Sequence, residues 1–383
     1  MNRKIYCDNA ATSKLDPEAF EMMKPLLLAD FGNASQPYSF GRKSKILLTN
    51  ARKSIASSIG ADEEEIFFTS GGSESDNWAL KCFGSRDGTK RIVTSPIEHH
   101  AILNTCKALA GHIATEFLPV DEFGLVDPTR LDAILTRFAL PESSNPCCLV
   151  SVMTANNEIG TIEPIKELAN VAHNHGAYFH TDAVQAVGHI PLNVHNLNVD
   201  MLSSSSHKFN GPKGVGFLYI KKGTLIHSLI NGGKQEFGFR AGTENVASIV
   251  GMAKALENNV RLLTSNQKKL QCLEKEFYEV LDSAKVDYRR NGATNHLPGM
   301  INISIKGVSG ELLLHRMDLA GCYISTGSAC DGESDQISHV IKAIKVPPEY
   351  AYGTIRISFG KYNEIGDGEE TAKRLLHILE TKL

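Results

Sequence analysis

The amino-acid sequence predicts an α/β fold in which helices cover a mostly parallel central sheet. Up to about residue 257, short β-rich segments alternate with amphipathic helical stretches. The predicted strands are Glu65–Thr69, Arg91–Thr94, Leu149–Met153, Tyr178–Thr181, Val199–Ser203 and Val215–Ile220. This alternation is typical of parallel strands that are joined by helical crossovers.

A change of pattern near residue 257 predicts a second, smaller α+β domain. The predicted elements there are a long charged helix over Lys254–Leu281, strands over Met300–Ile305 and Thr354–Ser358, a helix over Gly310–Asp318 and a closing helix from Gly366. We therefore expect a large domain over residues 16–257 and a small domain that combines residues 1–15 with residues 258–383.

Composition and charge exclude several classes of protein. The net charge is -3 and acidic and basic residues are interspersed, which argues against a nucleic-acid-binding surface. The sequence contains neither a signal peptide nor an apolar run long enough for a membrane helix, so we expect a cytoplasmic protein that does not bind membranes. The eight cysteines include no Cys-x-x-Cys pair, so we expect neither a disulfide framework nor a metal site.

Lys208 lies in a glycine-rich connection between two predicted strands, and Asp182 ends the strand before that connection. A single loop lysine is most often a solvated surface charge. However, ligands of open α/β sheets bind beyond the carboxyl ends of the strands, so both side chains could reach one pocket. Pyridoxal 5'-phosphate requires a lysine for its Schiff base and an acid that keeps its pyridine nitrogen protonated. The pair therefore indicates a site for this cofactor.

Three further segments could complete such a site. Gly72 and Ser73 follow a strand and precede a helix, where backbone N–H groups favour a phosphate, although Ser73 could simply cap the helix. His99 and His100 follow another strand, and we expect one of them to face the ligand. Cys330 lies in a loop of small polar residues, which is typical of a reactive thiol. The acidic residues that follow it would raise its pKa, so its activation would have to come from elsewhere.

Together these segments resemble the NifS-like cysteine desulfurases of the class V aminotransferase family, within the fold type I (aspartate aminotransferase-like) pyridoxal phosphate enzymes. The resemblance covers nearly the whole chain. It rests on Tyr6–Thr12, Phe31–Asn33, Thr69–Ser75, Glu98–His99, Asn156–Gly160, Asp182–Gln185, His207–Lys208, Gly211–Gly214, Arg240–Thr243, Gly327–Cys330 and Ile355–Ser358.

The resemblance implies a set of residues that bind pyridoxal 5'-phosphate: Lys208, Asp182, Gln185, Asn157, His99, Gly72, Ser73, Ser205, His207 and Thr243. Lys208 would form the Schiff base, Asp182 would pair with the pyridine nitrogen, and His99 would stack on the ring. Gln185 and Asn157 would contact the ring hydroxyl and nearby substrate groups. The phosphate would be held by Gly72, Ser73, Ser205 and His207.

The resemblance also implies a reaction and a quaternary structure. Arg356 would bind the carboxylate of L-cysteine, Lys208 would remove its α-proton, and Cys330 would take its sulfur as a persulfide while L-alanine leaves. His99 would deprotonate a thiol, either that of the substrate or that of Cys330. Thr243 would reach the phosphate in a neighbouring subunit, so we expect a homodimer with shared active sites. A sulfur-acceptor protein would then receive the sulfur.

The sequence departs from the family pattern in two segments, and the roles of these segments remain open. Tyr38 follows Gly32–Pro37 where the family usually has a histidine, and the acidic run Asp331–Asp335 replaces serines and threonines. An acidic loop favours a basic acceptor surface.

A selenocysteine lyase or another C–S lyase would share the cofactor residues, and an inactive sulfur-carrier or docking protein would share the fold. The sequence does not distinguish iron–sulfur cluster assembly, tRNA thiolation, cofactor synthesis and DNA sulfur modification as the downstream pathway.

Overall fold

A computed structural model of the chain describes residues 3–84, 90–138, 147–326 and 337–381. Its strands are β1 (Ile5–Tyr6), β2 (Ile66–Thr69), β3 (Lys90–Thr94), β4 (Ile113–Phe117), β5 (Cys148–Ser151), β6 (Tyr178–Asp182), β7 (Met201–Ser205), β8 (Gly216–Ile220), β9 (Tyr288–Arg290), β10 (Met300–Ile305), β11 (Cys322–Tyr323) and β12 (Thr354–Ser358). Its α-helices are α1 (Pro17–Leu28), α2 (Ser39–Ile59), α3 (Gly72–Cys82), α4 (His100–Leu109), α5 (Pro128–Phe138), α6 (Ile165–Asn174), α7 (Val194–Leu197), α8 (Val246–Arg261), α9 (Leu263–Ser283), α10 (Gly310–Leu319), α11 (His339–Ala343), α12 (Pro348–Ala351) and α13 (Asp367–Glu380).

The central sheet has seven strands in the order β2-β8-β7-β6-β5-β3-β4. Strands β3 to β7 run parallel to one another, and β8 runs antiparallel to the two strands beside it, β7 and β2. The predicted mostly parallel sheet is therefore confirmed. The prediction missed β4, an edge strand whose residues are partly exposed and do not form a continuous apolar run.

Both faces of the central sheet are buried by helices. Successive residues of one strand join different apolar clusters, because side chains alternate across a sheet. Val150 packs on the side of α2 and α8, whereas its neighbour Leu149 packs with Trp78 on the side of α3 and α4. Each fully buried aliphatic side chain contributes about 1.5–3 kcal/mol, so this double burial holds the strand ends in place.

A smaller antiparallel sheet with the order β12-β10-β9 lies in the C-terminal part of the chain. Its apolar face packs on α9, α10 and α13 in a separate cluster that includes Phe277 and Ile303. The short strand β1 pairs with β11, so the N-terminal residues join this cluster. The domain boundaries at residues 16–257 and 258–383 stay a prediction.

The single helix predicted over Lys254–Leu281 is wrong, because the chain forms two helices that separate at Leu262. Leu262 has φ -100° and ψ 8°, and it is both the C-cap of α8 and the N-cap of α9. Helix α8 buries residues such as Leu256 in the large cluster, whereas α9 buries Phe277 in the small one. The break lets two consecutive helices serve different cores.

Among the described residues, no helix has both the length and the apolar character needed to cross a membrane.

Candidate active site

A cavity of about 390 Å³ lies at the carboxyl ends of β3, β5, β6 and β7. Ten of the predicted site residues line it: Gly72, Ser73, His99, Asn157, Asp182, Gln185, Ser205, His207, Lys208 and Arg356. The connection of each strand to the next element leads there, since parallel strands end at the same edge of the sheet. Residues more than 280 positions apart in the sequence, from Gly72 to Arg356, therefore line one cavity.

Lys208 lies in a single 3-10 turn, Ser206–Lys208, directly after β7. Its Nζ donates hydrogen bonds to the carbonyl oxygens of Ala10 and Ala11, at 2.6 and 2.9 Å. The backbone carbonyl of Lys208 accepts a hydrogen bond from His189 Nε2 at 3.0 Å. The turn and these contacts hold the amine at the cavity wall.

Asp182 is the last residue of β6, and only 4% of it is exposed. One carboxylate oxygen accepts a hydrogen bond from the Val184 N–H at 2.9 Å. Burial raises the pKa of Asp182 to about 6, while Lys208 and the Val184 N–H favour the ionised form. A buried carboxylate beside a lysine can pair with a protonated ring nitrogen.

His99 is the N-cap of α4, and its Nδ1 accepts a hydrogen bond from the Ala101 N–H at 3.1 Å. Burial, Lys208 and His100 together lower the pKa of His99 to about 4, so the ring is neutral near pH 7. With Nδ1 acting as an acceptor, the single N–H of the neutral ring lies on Nε2. His99 therefore offers the cavity a hydrogen-bond donor and an aromatic face.

The start of α3 forms the other end of the cavity. Gly71 has φ 147°, which glycine adopts readily, and the first N–H groups of the helix have no partner within it. A Cβ on Gly72 would lie 2.7 Å from Val184 Cγ2, so only glycine fits there. Ser205 and His207 line the cavity as well. Backbone N–H groups and hydroxyl groups at a helix N-terminus are suited to a phosphate.

One ion pair and one hydrogen-bond contact of a histidine hold the residues around the start of α3. Arg240 donates two hydrogen bonds to the Glu74 carboxylate, at 2.8 and 3.1 Å, and the Ser70 N–H donates to the same carboxylate. His207 Nδ1 lies 3.1 Å from the Thr12 hydroxyl, and burial lowers the pKa of His207 to about 4. The residues around the start of α3 are therefore fixed before any ligand binds.

Arg356 reaches the cavity from β12 of the smaller sheet and is 6% exposed. Its guanidinium donates to the Asn157 carbonyl oxygen and to Asp8 Oδ1, each at 2.8 Å. Its buried Nε has no hydrogen-bond partner among the described residues. Gln185 Nε2 donates to the Ala10 carbonyl oxygen at 3.0 Å, so the N-terminal segment contacts both Gln185 and Lys208.

Among the predicted site residues, one stands apart from the cavity and one is not described by the structure. Thr243 is exposed and is not among the residues that line it. Cys330 lies outside the described residues. The described residues near it, Thr326 before and His339 after, both line the cavity.

Sequence reasoning missed Asp8, Asp76, Glu158 and His339, which also line the cavity. The position of Asp76, four residues after Gly72 on α3, could have indicated it, because residues four apart share a helix face. No comparable local signal exists for Asp8, which contacts Arg356 across 348 residues. One polar side-chain atom from each of Asp76, His99 and Asp182 lies within 4.8 Å of the other two, a spacing that is close enough to surround a metal ion. The absence of a metal stays a prediction.

A lysine, a buried aspartate and a helix N-terminus at the carboxyl end of a mostly parallel sheet define an aminotransferase-like site. The family model described as aminotransferase class-V matches residues 5–369, so the chain belongs to the class V aminotransferase family.

Individual proteins within and around this family resemble the chain over nearly its whole length. The chain is 48% identical to the cysteine desulfurase IscS of Dictyoglomus turgidum, over 99% of this chain and 95% of that protein. It is 34% identical to a solved structure described as a NifS-like protein, with a TM-score of 0.90 over 99% of this chain and 100% of that one. It is 32% identical to a structure described as SspA in complex with cysteine, with a TM-score of 0.80 over 94% of this chain and 100% of that one. The resemblance to NifS-like proteins is confirmed.

Proposed function

We propose that the protein is a cysteine desulfurase that converts L-cysteine to L-alanine and keeps the sulfur as a persulfide on Cys330. The observation that carries the proposal is the convergence of Lys208, Asp182, His99 and Arg356 on one cavity. The relatives named cysteine desulfurase support the same reading, since their similarity extends over nearly the whole chain.

The residues present fit pyridoxal 5'-phosphate. The buried Asp182 carboxylate suits the pyridine nitrogen, and Gly72 and Ser73 bring the start of α3 to the cavity, where its N–H groups suit a phosphate. Lys208 would hold the cofactor covalently, with His99 on the ring face and Gln185 and Asn157 at its hydroxyl edge. Ser73, Ser205 and His207 would hold the phosphate with the α3 N-terminus. When bound, the cofactor supplies an electron sink for the charge that develops at the substrate Cα.

The side chains of this protein then bind the substrate and move its protons. Arg356 lines the cavity and binds the α-carboxylate, a task suited to its planar guanidinium. Once the substrate amine has replaced Lys208 on the cofactor, the freed neutral Lys208 Nζ would take the proton from Cα. The proposed role of His99 as a base for a thiol requires its Nδ1 to leave the Ala101 N–H, because the neutral ring otherwise presents only an N–H to the cavity.

The sulfur transfer balances without any further reactant. The Cys330 sulfur forms an S–S bond with the substrate sulfur, and the bond between that sulfur and Cβ breaks. The electron pair stays with Cβ, which takes up a proton, so that L-alanine and a Cys330 persulfide are the products. Covalent capture of this kind divides one difficult step into two easier ones.

A selenocysteine lyase or another C–S lyase is the second candidate, because Lys208, Asp182 and Arg356 would serve it equally well. Such a lyase does not require a thiol that carries a persulfide, so Cys330 discriminates between the two functions. An inactive sulfur carrier is a weaker alternative, since it would not need all the cofactor residues to line one cavity.

We also propose a homodimer in which Thr243 of each subunit reaches the phosphate of the other. Thr243 is exposed and lies outside the cavity of its own chain. A group of exposed apolar side chains on and around α1 and α2, which we call the α1–α2 apolar surface, suits a second copy of the chain. Its most exposed members are Leu27, Leu28, Phe31 and Ile46, at 58%, 73%, 72% and 60%.

A sulfur-acceptor protein with a basic surface would match the acidic run at residues 331–335, which lies outside the described residues. The cytoplasmic location and the absence of nucleic-acid binding stay predictions from the sequence.

The proposal is tested by incubating the protein, loaded with pyridoxal phosphate, with L-cysteine and a reductant and measuring L-alanine and sulfide. We expect both products from the wild type and neither from Lys208→Ala. We expect Cys330→Ala to lose at least about tenfold in rate, since the nucleophile is gone. Full activity of Cys330→Ala would indicate the lyase instead. Cys272→Ala, which removes an exposed thiol outside the cavity, is the matched control.

A further inference from the structure

Asp76 is a buried carboxyl group in the cavity that the proposed mechanism does not use. It lies on α3, four residues after Gly72, and is 1% exposed. It lines the cavity, and one polar side-chain atom from each of Asp76, Asp182 and His99 lies within 4.8 Å of the other two. Two carboxyl groups that are each almost completely buried therefore stand side by side.

No described cation neutralises Asp76. Its Oδ1 has no hydrogen-bond partner among the described residues. His180 Nε2 lies 3.8 Å from that oxygen, which is beyond hydrogen-bond distance. Both ring nitrogens of His180 contact serine hydroxyls at 2.9 Å, those of Ser151 and Ser203. Burial lowers the pKa of His180 to about 3, so its ring is neutral and provides no charge.

The groups around the two carboxyls favour ionisation of one and not of the other. Lys208 favours the charged form of Asp182. Burial raises the pKa of Asp76 well above its usual value. Asp182 and Glu98 raise it further, and a hydrogen bond from the Ser203 hydroxyl opposes the increase. Two like charges in one buried site are not both retained.

We propose that Asp76 is a positioning residue that stays protonated beside Asp182, so that the pair presents a single negative charge to the cofactor. The inference rests on the proposed function, since the pyridine nitrogen of pyridoxal phosphate is the group that this charge would meet. The same helix would then contribute to both ends of the site, since its N-terminus would hold the phosphate and Asp76 lies beside Asp182.

Cofactor affinity provides the first test. Trp78, the single tryptophan of the chain, lies two residues after Asp76, so quenching of its fluorescence reports the binding of pyridoxal phosphate. We expect Asp76→Asn, a neutral group of the same shape, to bind within about threefold of the wild type. Asp182→Asn and Asp76→Leu should bind at least about tenfold more weakly, since they remove the charge and its polar neighbour, respectively. Asp318→Asn, on the exposed end of α10, is the control.

Either of two results would overturn the inference. Loss of affinity in Asp76→Asn equal to that in Asp182→Asn would mean that Asp76 carries a charge that the cofactor uses. Wild-type affinity in Asp76→Leu would mean that Asp76 has no influence on Asp182.

Thermal unfolding of the cofactor-free protein provides a second readout that does not depend on catalysis. An acid whose pKa is raised by folding keeps its proton in the folded state and releases it in the unfolded state, so stability falls as pH rises above its usual pKa. Asp76→Asn lacks this titration, whereas Glu98, His99, His180, Asp182 and Lys208 titrate in both proteins. The melting temperature of Asp76→Asn relative to wild type should therefore increase between about pH 4 and about pH 7.

A melting-temperature difference that stays constant with pH would contradict a protonated Asp76. Asp76→Ser, which also cannot ionise, gives the same comparison should Asp76→Asn not fold. If the Asp76 variants give the expected affinities and melting temperatures but the wild type forms no L-alanine from L-cysteine, the proposed function alone is overturned. If the wild type forms L-alanine but the Asp76 variants do not give the expected results, the inference alone is overturned.

Discussion

Burial and one lysine set the protonation states of the side chains in the cavity. Burial moves the pKa of Asp182 up to about 6 and that of His99 down to about 4, because both groups lose hydration in their charged forms. Lys208 acts on both, since its positive charge favours ionised Asp182 and disfavours protonated His99. Near pH 7 these three side chains therefore present a carboxylate, an amine and a neutral imidazole to the cavity.

The pKa of Asp182 predicts how cofactor binding depends on pH. Protonated Asp182 cannot pair with a charged ring, so the affinity for pyridoxal phosphate should decrease as the pH falls through about 6. Titration of Trp78 fluorescence at several pH values measures this dependence. Asp182→Asn should be weaker throughout and should lack this step. The same step in the variant would show that another group causes it.

His180 predicts a loss of stability in acid. Its pKa is about 3 in the folded protein, so between pH 6.5 and pH 3 only the unfolded chain takes up the proton. Stability is therefore lost as the pH falls below 6.5, by about 1.4 kcal/mol for each pH unit. Urea unfolding of His180→Gln should show a smaller dependence on pH than the wild type. The control His315→Gln, whose side chain is 66% exposed, should not differ from it. An unchanged dependence in His180→Gln would contradict the assignment.

At the scale of elements, the start of α3 connects local backbone geometry with ligand binding. Gly71 leaves the helical conformation, Gly72 lies against Val184, and the N–H of Val184 in turn holds Asp182. The proposed phosphate end and the proposed ring end of the cavity are thus linked through Val184.

Gly72→Ala tests this link. The added Cβ would lie 2.7 Å from Val184 Cγ2, so the helix start or the Val184 turn has to shift. We expect affinity for pyridoxal phosphate to fall by at least about tenfold, because both the phosphate donors and Asp182 move. Lys81→Ala, at the exposed opposite end of the same helix, should bind like the wild type. Unchanged affinity in Gly72→Ala would exclude the helix start as the phosphate site.

The elements that sequence predicted well are those whose pattern is local. Met300–Ile305 and Thr354–Ser358 have the predicted bounds, because continuous apolar or alternating runs identify strands directly. The break at Leu262 was not predictable in this way, since the helical pattern continues through it and only the two cores differ. For the site, motifs identified Lys208 and Asp182, whereas the contact of Asp8 with Arg356 depends on the three-dimensional fold.

At the scale of the whole molecule, the cavity lies between the two sheets. Asp182 ends β6 of the seven-stranded sheet, and Lys208 and His99 lie in connections that follow its strands β7 and β3. Arg356 comes from β12 of the smaller sheet, and its guanidinium contacts the Asn157 carbonyl oxygen. The proposed carboxylate-binding arginine and the proposed lysine and aspartate of the cofactor site are thus positioned by different sheets. Any change in how the sheets pack would alter the distance between substrate and cofactor.

The proposed dimer predicts that assembly and cofactor binding are coupled. Leu28→Asp combined with Phe31→Asp places charges on the α1–α2 apolar surface, so we expect a monomer by light scattering where the wild type is a dimer. Affinity for pyridoxal phosphate should fall by about tenfold, since Thr243 no longer reaches the partner's phosphate. Leu319→Asp, at an 88% exposed leucine on α10, is the control and should stay dimeric. A monomeric wild type would contradict the prediction.

The most direct test of the account is the state of Cys330 after a single turnover. The holoenzyme is mixed with L-cysteine without reductant, its thiols are alkylated, and peptides are analysed by mass spectrometry. We expect the peptide that contains Cys330 to carry the mass of one additional sulfur atom, in an amount equal to the L-alanine released, and the Lys208→Ala variant to show neither product. L-Alanine formed with no additional sulfur on Cys330 would contradict the account.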